Sequence, residues 1–89
     1  MRRTKAEVIA QLIDTGIIAV VRAQSGEQVL PLSEALLEGG VRAIEITTST
    51  PDAIENIRKA RQALGERAII GVGTVLDVET CDAACEAGA

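Results

Sequence analysis

An α/β fold, assembled as one leading helix followed by three strand-helix units, is what this sequence predicts, and two observations support it. Short apolar, β-branched runs begin at Ile17, Arg42 and Arg67, a constant spacing of 25 residues, and each reads as a strand. The segments before, between and after them have helical periodicity bounded by capping and stop residues. At 89 residues the chain holds at most one small domain. Residues 1–16 are expected to form the leading helix and 17–89 the three β-α units.

In the first helix Thr4 and Glu7 make a capping box, and Gly16 provides the C-terminal stop. The run Ile17–Val21 comes directly after it. Ser25 and Gln28 form a second box, and Gly39-Gly40 closes that helix. Pro31 falls near its first turn, or just beyond it, where it would kink the segment. After the second run, Arg42–Ile46, Thr50 is expected to cap a third helix with Pro51 at the first position and Gly65 at its end. The third run, Arg67–Ile70, leads into Gly71-Val72-Gly73-Thr74, and Asp77 opens the last helix.

Alternating strands and helices with short loops imply a parallel sheet built by right-handed crossovers. Two architectures meet that description, a doubly wound open sheet and part of a (β/α)8 TIM barrel. Strand parity favours the barrel. Ile44 and Ile46 point to one face, while Ala43, Glu45 and Thr47 point to the other. A carboxylate amid a strand buried on both faces is costly, whereas a barrel interior accommodates one near its catalytic end. If the 25-residue register holds throughout, Val20, Arg22, Glu45, Thr47, Ile70 and Thr74 share one face, toward the C-terminal strand ends where barrel active sites lie. The predicted fold is therefore the N-terminal portion of a (β/α)8 barrel.

Composition narrows the function. Apolar residues make up 47% and charged residues 25% of the chain, as in ordinary globular proteins. The formal net charge is -4, and there is no Phe, Tyr, Trp or His. Such a chain is a poor nucleic-acid binder, and proton transfer falls to Asp, Glu, Lys or Cys. Cys81 and Cys85 lie one helical turn apart, a poor geometry for a disulfide. Without His or a second Cys pair they read as small buried or half-buried thiols, not metal ligands. The opening Met1-Arg2-Arg3-Thr4-Lys5 is basic, but Glu7 and Asp14 interrupt the stretch after it, so it is not a signal peptide. No run reaches the roughly 18 apolar residues of a membrane span, and the expected location is the cytoplasm.

Glu45 is the leading catalytic candidate. A strand Glu is often salt-bridged or on an exposed edge, but the apolar flanks of this one and the shared parity of Arg22 and Thr74 point to a general acid and base in a barrel mouth. Arg22 closes the first strand; it suits bidentate capture of a carboxylate or phosphate, and equally a solvated strand end. Gly71-Val72-Gly73-Thr74 has Leu76 where a dinucleotide fingerprint needs its third Gly, and it lacks the Lys of a P-loop. Its glycines fit a close backbone approach to a small ligand, with the Thr74 hydroxyl as donor or acceptor. Arg22, Thr47, Gly73 and Thr74 thus form the candidate substrate-binding set around Glu45.

Three segments in order, Gly16–Ala23, Glu38–Thr47 and Ile70–Val75, resemble the opening third to half of the KDPG/KHG aldolase family. The ending Ala84–Ala89 resembles the close of that family's third helix, before its fourth strand. The resemblance implies a homotrimeric (β/α)8 barrel, without a cofactor, that reversibly cleaves 2-keto-3-deoxy-6-phosphogluconate to pyruvate and glyceraldehyde 3-phosphate. A barrel Lys would form a Schiff base with the keto carbon while a Glu shuttles protons. By position, Glu45 matches that Glu, Thr74 the residue near the pyruvate carboxylate and Arg22 a basic residue lining the pocket.

Two departures stand out. Ser49 occupies a position where some family members carry an Arg, which bears on carboxylate recognition and substrate preference. The Schiff-base Lys belongs to a later strand, and the lysines present, Lys5 and Lys59, lie on predicted helices away from strand ends. The 89 residues are therefore expected to be an incomplete barrel domain, inactive alone. The rival readings are another phosphosugar barrel enzyme and a non-catalytic α/β binding module of flavodoxin-like topology.

Overall fold

Helix α1 (Lys5–Thr15) starts where its capping box predicts. Thr4 Oγ1 accepts from the Glu7 N–H at 3.1 Å and in turn donates to the Glu7 carboxylate. Gly16 ends the helix at φ 70, the left-handed conformation that glycine adopts without penalty. These and the later elements come from a computed structural model describing residues 3–89; Met1 and Arg2 of the basic opening lie outside the described residues.

Strand β1 (Ile18–Val21) leads through a 3-10 turn at Gly26–Gln28 into α2 (Val29–Glu38). The Gln28 side chain accepts from the backbone N–H groups of Gln24 and Ser25, tying down the turn. Pro31 sits in the first turn of α2, where its missing N–H is tolerated. Then come β2 (Ala43–Thr47), α3 (Ala53–Leu64), a 3-10 turn at Gly65–Arg67, β3 (Ile69–Gly73) and α4 (Val78–Ala87).

The three strands form one parallel sheet in the order β1-β2-β3. That order differs from the 2-1-3 arrangement of flavodoxin-like sheets and agrees with consecutive staves of a barrel wall. Helices α2, α3 and α4 share one core with the sheet face carrying Val21, Ile44, Ile46 and Ile70; Val29, Ile57, Ala60, Leu64 and Ala84 fill the space between. The other face stays more open. Ile18 and Val20 are 52% and 50% exposed there, and Val8 and Leu12 of α1 lie over its N-terminal end, beside Ile18, Ala43 and Gly71.

Several expectations are corrected. Thr50 does not cap α3: the N-cap is Asp52, at φ 53, because the Thr50 hydroxyl is committed to another loop, accepting from the Ala23 N–H at 3.1 Å. The constant register also breaks. Val20 pairs with Glu45, but Glu45 pairs with Gly71, so the second offset is one residue longer than the first. The extra residue is absorbed in the Gly65–Arg67 turn, whose carbonyls accept from Arg3 and Arg42, leaving Arg67 outside the strand. A one-residue slip reverses every side chain. Ile70 therefore joins the helix-facing core at 5% exposure, and Gly71 and Gly73 take its predicted place beside Glu45. Cys81 and Cys85 are exposed instead of buried or half-buried; the residues of α4 that the core covers are Ala84 and Ala87.

Asp77 caps α4 as predicted, accepting from the Thr80 N–H at 2.7 Å. That bond, then the one from the Thr80 hydroxyl, holds its carboxyl below the ordinary aspartate value. Since the folded pKa is depressed, this stabilisation is complete above the unfolded value and is lost as pH falls through the folded one. Asp77→Asn is expected to flatten that acid limb while keeping a capping oxygen. Unfolding curves across the acid range test this, and an unchanged acid slope contradicts it.

Candidate active site

Glu45 occupies the middle of β2 on the open face, half-buried, with Thr47 two residues further toward the C-terminal end. Its carboxylate lies against Gly73 of the neighbouring strand. A Cβ built at Gly73 would overlap Oε1 of Glu45 outright and lie 2.7 Å from its Cδ. The glycine is thus needed for space, since any side chain there would enter the volume the carboxylate fills. Among the described residues the salt bridge is Arg58 to Glu55 on α3, and none involves Glu45. The salt-bridged alternative for Glu45 is not realised among them.

The obstructing group at Gly73 is the far end of a flexible side chain, so an added methyl can be accommodated by swinging Glu45 aside. Gly73→Ala is therefore expected to leave the fold intact and displace the carboxylate. A crystal structure of the variant checks this, and a Glu45 left in place would contradict the packing described.

The other predicted residues fall around this pair unequally. Thr47 is the β-sheet partner of Gly73 and is fully buried; its hydroxyl donates to the Val21 carbonyl at 3.4 Å and shares a 2.8 Å hydrogen bond with the Ser49 hydroxyl. Arg22 directly follows β1 and is exposed, two residues beyond Val20, the partner of Glu45. Thr74, expected to share the Glu45 face by strand parity with Ile70, instead lies exposed just beyond β3, outside the strand register, at φ 59, unusual for a β-branched residue.

Sequence reasoning missed what joins these pieces. The run Thr47-Thr48-Ser49-Thr50 leaves β2 and bonds to both neighbouring strand ends. Thr47 and Thr50 reach the β1 side at Val21 and Ala23, while Thr48 reaches the β3 side at Gly73 and Thr74. Four consecutive hydroxyl residues at a strand end were the available signal. Electrostatically the far side of the molecule differs: on α4 the neighbouring Cys85, and less so burial, push the Cys81 thiol up. Among the described residues no cluster of three or more His, Cys, Asp or Glu could hold a metal ion, and no helix is long and apolar enough to cross a membrane.

Comparisons with known proteins agree with this placement of elements. The family profile of KDPG and KHG aldolase matches residues 8–89. The KHG/KDPG aldolase of Escherichia coli strain K12 is 38% identical over 88 residues, covering 98% of this chain and 39% of the relative. The 2-dehydro-3-deoxy-phosphogluconate aldolase of Treponema pallidum strain Nichols is 41% identical over 73 residues, covering 82% and 34%. Among solved structures, a cube-shaped, highly porous protein cage designed by fusing symmetric oligomeric domains aligns at TM-score 0.74 and 34% identity, over 80% of this chain and 26% of that one. The chain spans about two fifths of the length of the E. coli relative. With the profile matching nearly its whole length, the chain belongs to the KDPG and KHG aldolase family.

Proposed function

We propose that this chain forms the first staves of a (β/α)8 barrel that works as a class I aldolase, cleaving 2-keto-3-deoxy-6-phosphogluconate to pyruvate and glyceraldehyde 3-phosphate. The observation that carries the reading is the Glu45 carboxylate packed against Gly73 toward the C-terminal end of the sheet, without a salt bridge among the described residues. A carboxylate so placed, seated in the space that glycine leaves, can take and return a proton. In this reading residues 1–89 are an incomplete barrel domain, and the remaining strands cover the open face at Ile18 and Val20.

The chemistry follows from the aldol bond. A lysine outside these residues forms the imine with the keto carbon, which provides the electron sink for C3–C4 cleavage. Glu45 accepts the C4 hydroxyl proton as the aldehyde leaves, and the protonated carboxyl then delivers a proton to C3 of the enamine. Arg22, Thr47, Gly73 and Thr74 form the substrate-binding rim. Arg22 suits an anionic group, Gly73 and Thr74 offer backbone amides and a hydroxyl, and Thr47 acts from beneath through the Ser49 hydroxyl it orients. The complete protein is proposed to be a cytoplasmic homotrimer that binds a phosphorylated keto acid and needs no cofactor.

The test is borohydride reduction of the complete protein in the presence of pyruvate, followed by peptide mapping. A single pyruvate-derived adduct on a lysine other than Lys5 or Lys59 is expected, and an unlabelled protein would contradict the class I mechanism.

A further inference from the structure

We infer that Thr48 is a positioning residue that holds Gly73 and Thr74 in the conformation the site needs. This rests on the reading of those two residues as part of the substrate rim. The Thr48 N–H donates to the Gly73 carbonyl at 3.0 Å, and its hydroxyl donates to the Thr74 carbonyl at 2.7 Å. One residue of the β2 loop thus grips two successive carbonyls at the end of β3.

What makes the grip consequential is the backbone it holds. Thr74 lies at φ 59, a region a β-branched residue enters only when its surroundings over-determine it. On its inner side Gly73 packs against the Glu45 carboxylate, so a shift of Gly73 that way would have to move that side chain as well. The hydroxyl bond to the Thr74 carbonyl is therefore the restraint acting directly on the strained residue, and through the Gly73 contact it shares a frame with the general base. Removing it leaves Glu45 and the Gly73–Thr74 peptide in position but frees the peptide after Thr74 to rotate, letting Thr74 leave positive φ and carry its hydroxyl away from the bound acid.

The variant Thr48→Val keeps the side-chain shape and the backbone bond but deletes the hydroxyl. In the complete aldolase it is expected to raise KM for the keto-acid substrate about five- to tenfold, the scale of one hydrogen bond, with kcat nearly unchanged. Thr48→Ser restores most of the KM. In a Thr74→Gly background, where glycine adopts positive φ without a restraint, the effect of Thr48→Val should shrink toward none. A KM unaffected by Thr48→Val, an equal loss in Thr48→Ser, or an undiminished effect beside Gly at 74 would each overturn the inference. A crystal structure of Thr48→Val separates this from failure of the aldolase reading. If the unaltered enzyme proves not to be an aldolase, a Thr74 that leaves positive φ in the variant still supports the restraint, and one that stays refutes it.

Discussion

Replacing Glu45 by Gln in the complete aldolase is expected to slow turnover by about 10²–10⁴-fold, the range in which a positioned general acid-base group contributes. The change is close to isosteric, so the amide should fit beside Gly73 as the carboxylate does and the fold should not suffer. In the proposed mechanism it removes the proton acceptor alone. Imine formation between the barrel lysine and pyruvate should remain comparatively intact, so borohydride trapping would still label the variant. Steady-state kinetics beside trapping separates the two steps, and an effect on turnover below about threefold would remove Glu45 from the mechanism.

The second large effect concerns the 89-residue chain alone, which should give no specific pyruvate adduct and no measurable aldolase activity. Lys5 opens α1 beside Ile69 and Arg61, at the N-terminal end of β3. Lys59 is exposed on α3, whose Ile57 and Ala60 face the sheet from the opposite side to Glu45. Neither amine can present an imine to the carboxylate at the C-terminal mouth. Positioning a reactant next to its catalytic group provides effective molarities of about 10⁵–10⁸ M, and that advantage is forfeited here. Mass spectrometry after pyruvate and borohydride treatment measures the outcome directly, and a stoichiometric adduct on either lysine would contradict the placement.

Most helix boundaries were legible because local chemistry sets them. Thr4 with Glu7, Gly16, Gly65 and Asp77 each act within a turn of their own position, and each does in the structure what its residue type requires. The errors arise where a distant partner decides. Thr50 has the sequence of an N-cap before Pro51, but its hydroxyl accepts from Ala23 across the loop after β1, and Asp52 takes the cap position. The spacing of the apolar runs counted Arg67 as a strand residue, while Arg3 and Arg42 hold it in a 3-10 turn by binding the turn carbonyls. That one residue moved Ile70 into the core and brought Gly71 and Gly73 to the open face. The side-chain partner of Thr48 is 26 residues away in sequence, beyond any local pattern.

The candidate site was legible to the same extent. Glu45 stood out because a carboxylate interrupts an otherwise apolar run, and Gly73 because glycine after a strand signals close approach. Their mutual contact depended on the β2–β3 register, which the constant spacing misassigned.

The most direct measurement is a crystal structure of the complete protein after borohydride reduction with pyruvate. The reduced pyruvyl group is expected at the C-terminal mouth of the sheet, its methyl carbon within about 3–3.5 Å of the Glu45 carboxylate, with Gly73 and Thr74 beside its carboxylate. An adduct on the helix-covered side, or one at the mouth with Glu45 turned away and another acid or base in its place, would contradict that expectation.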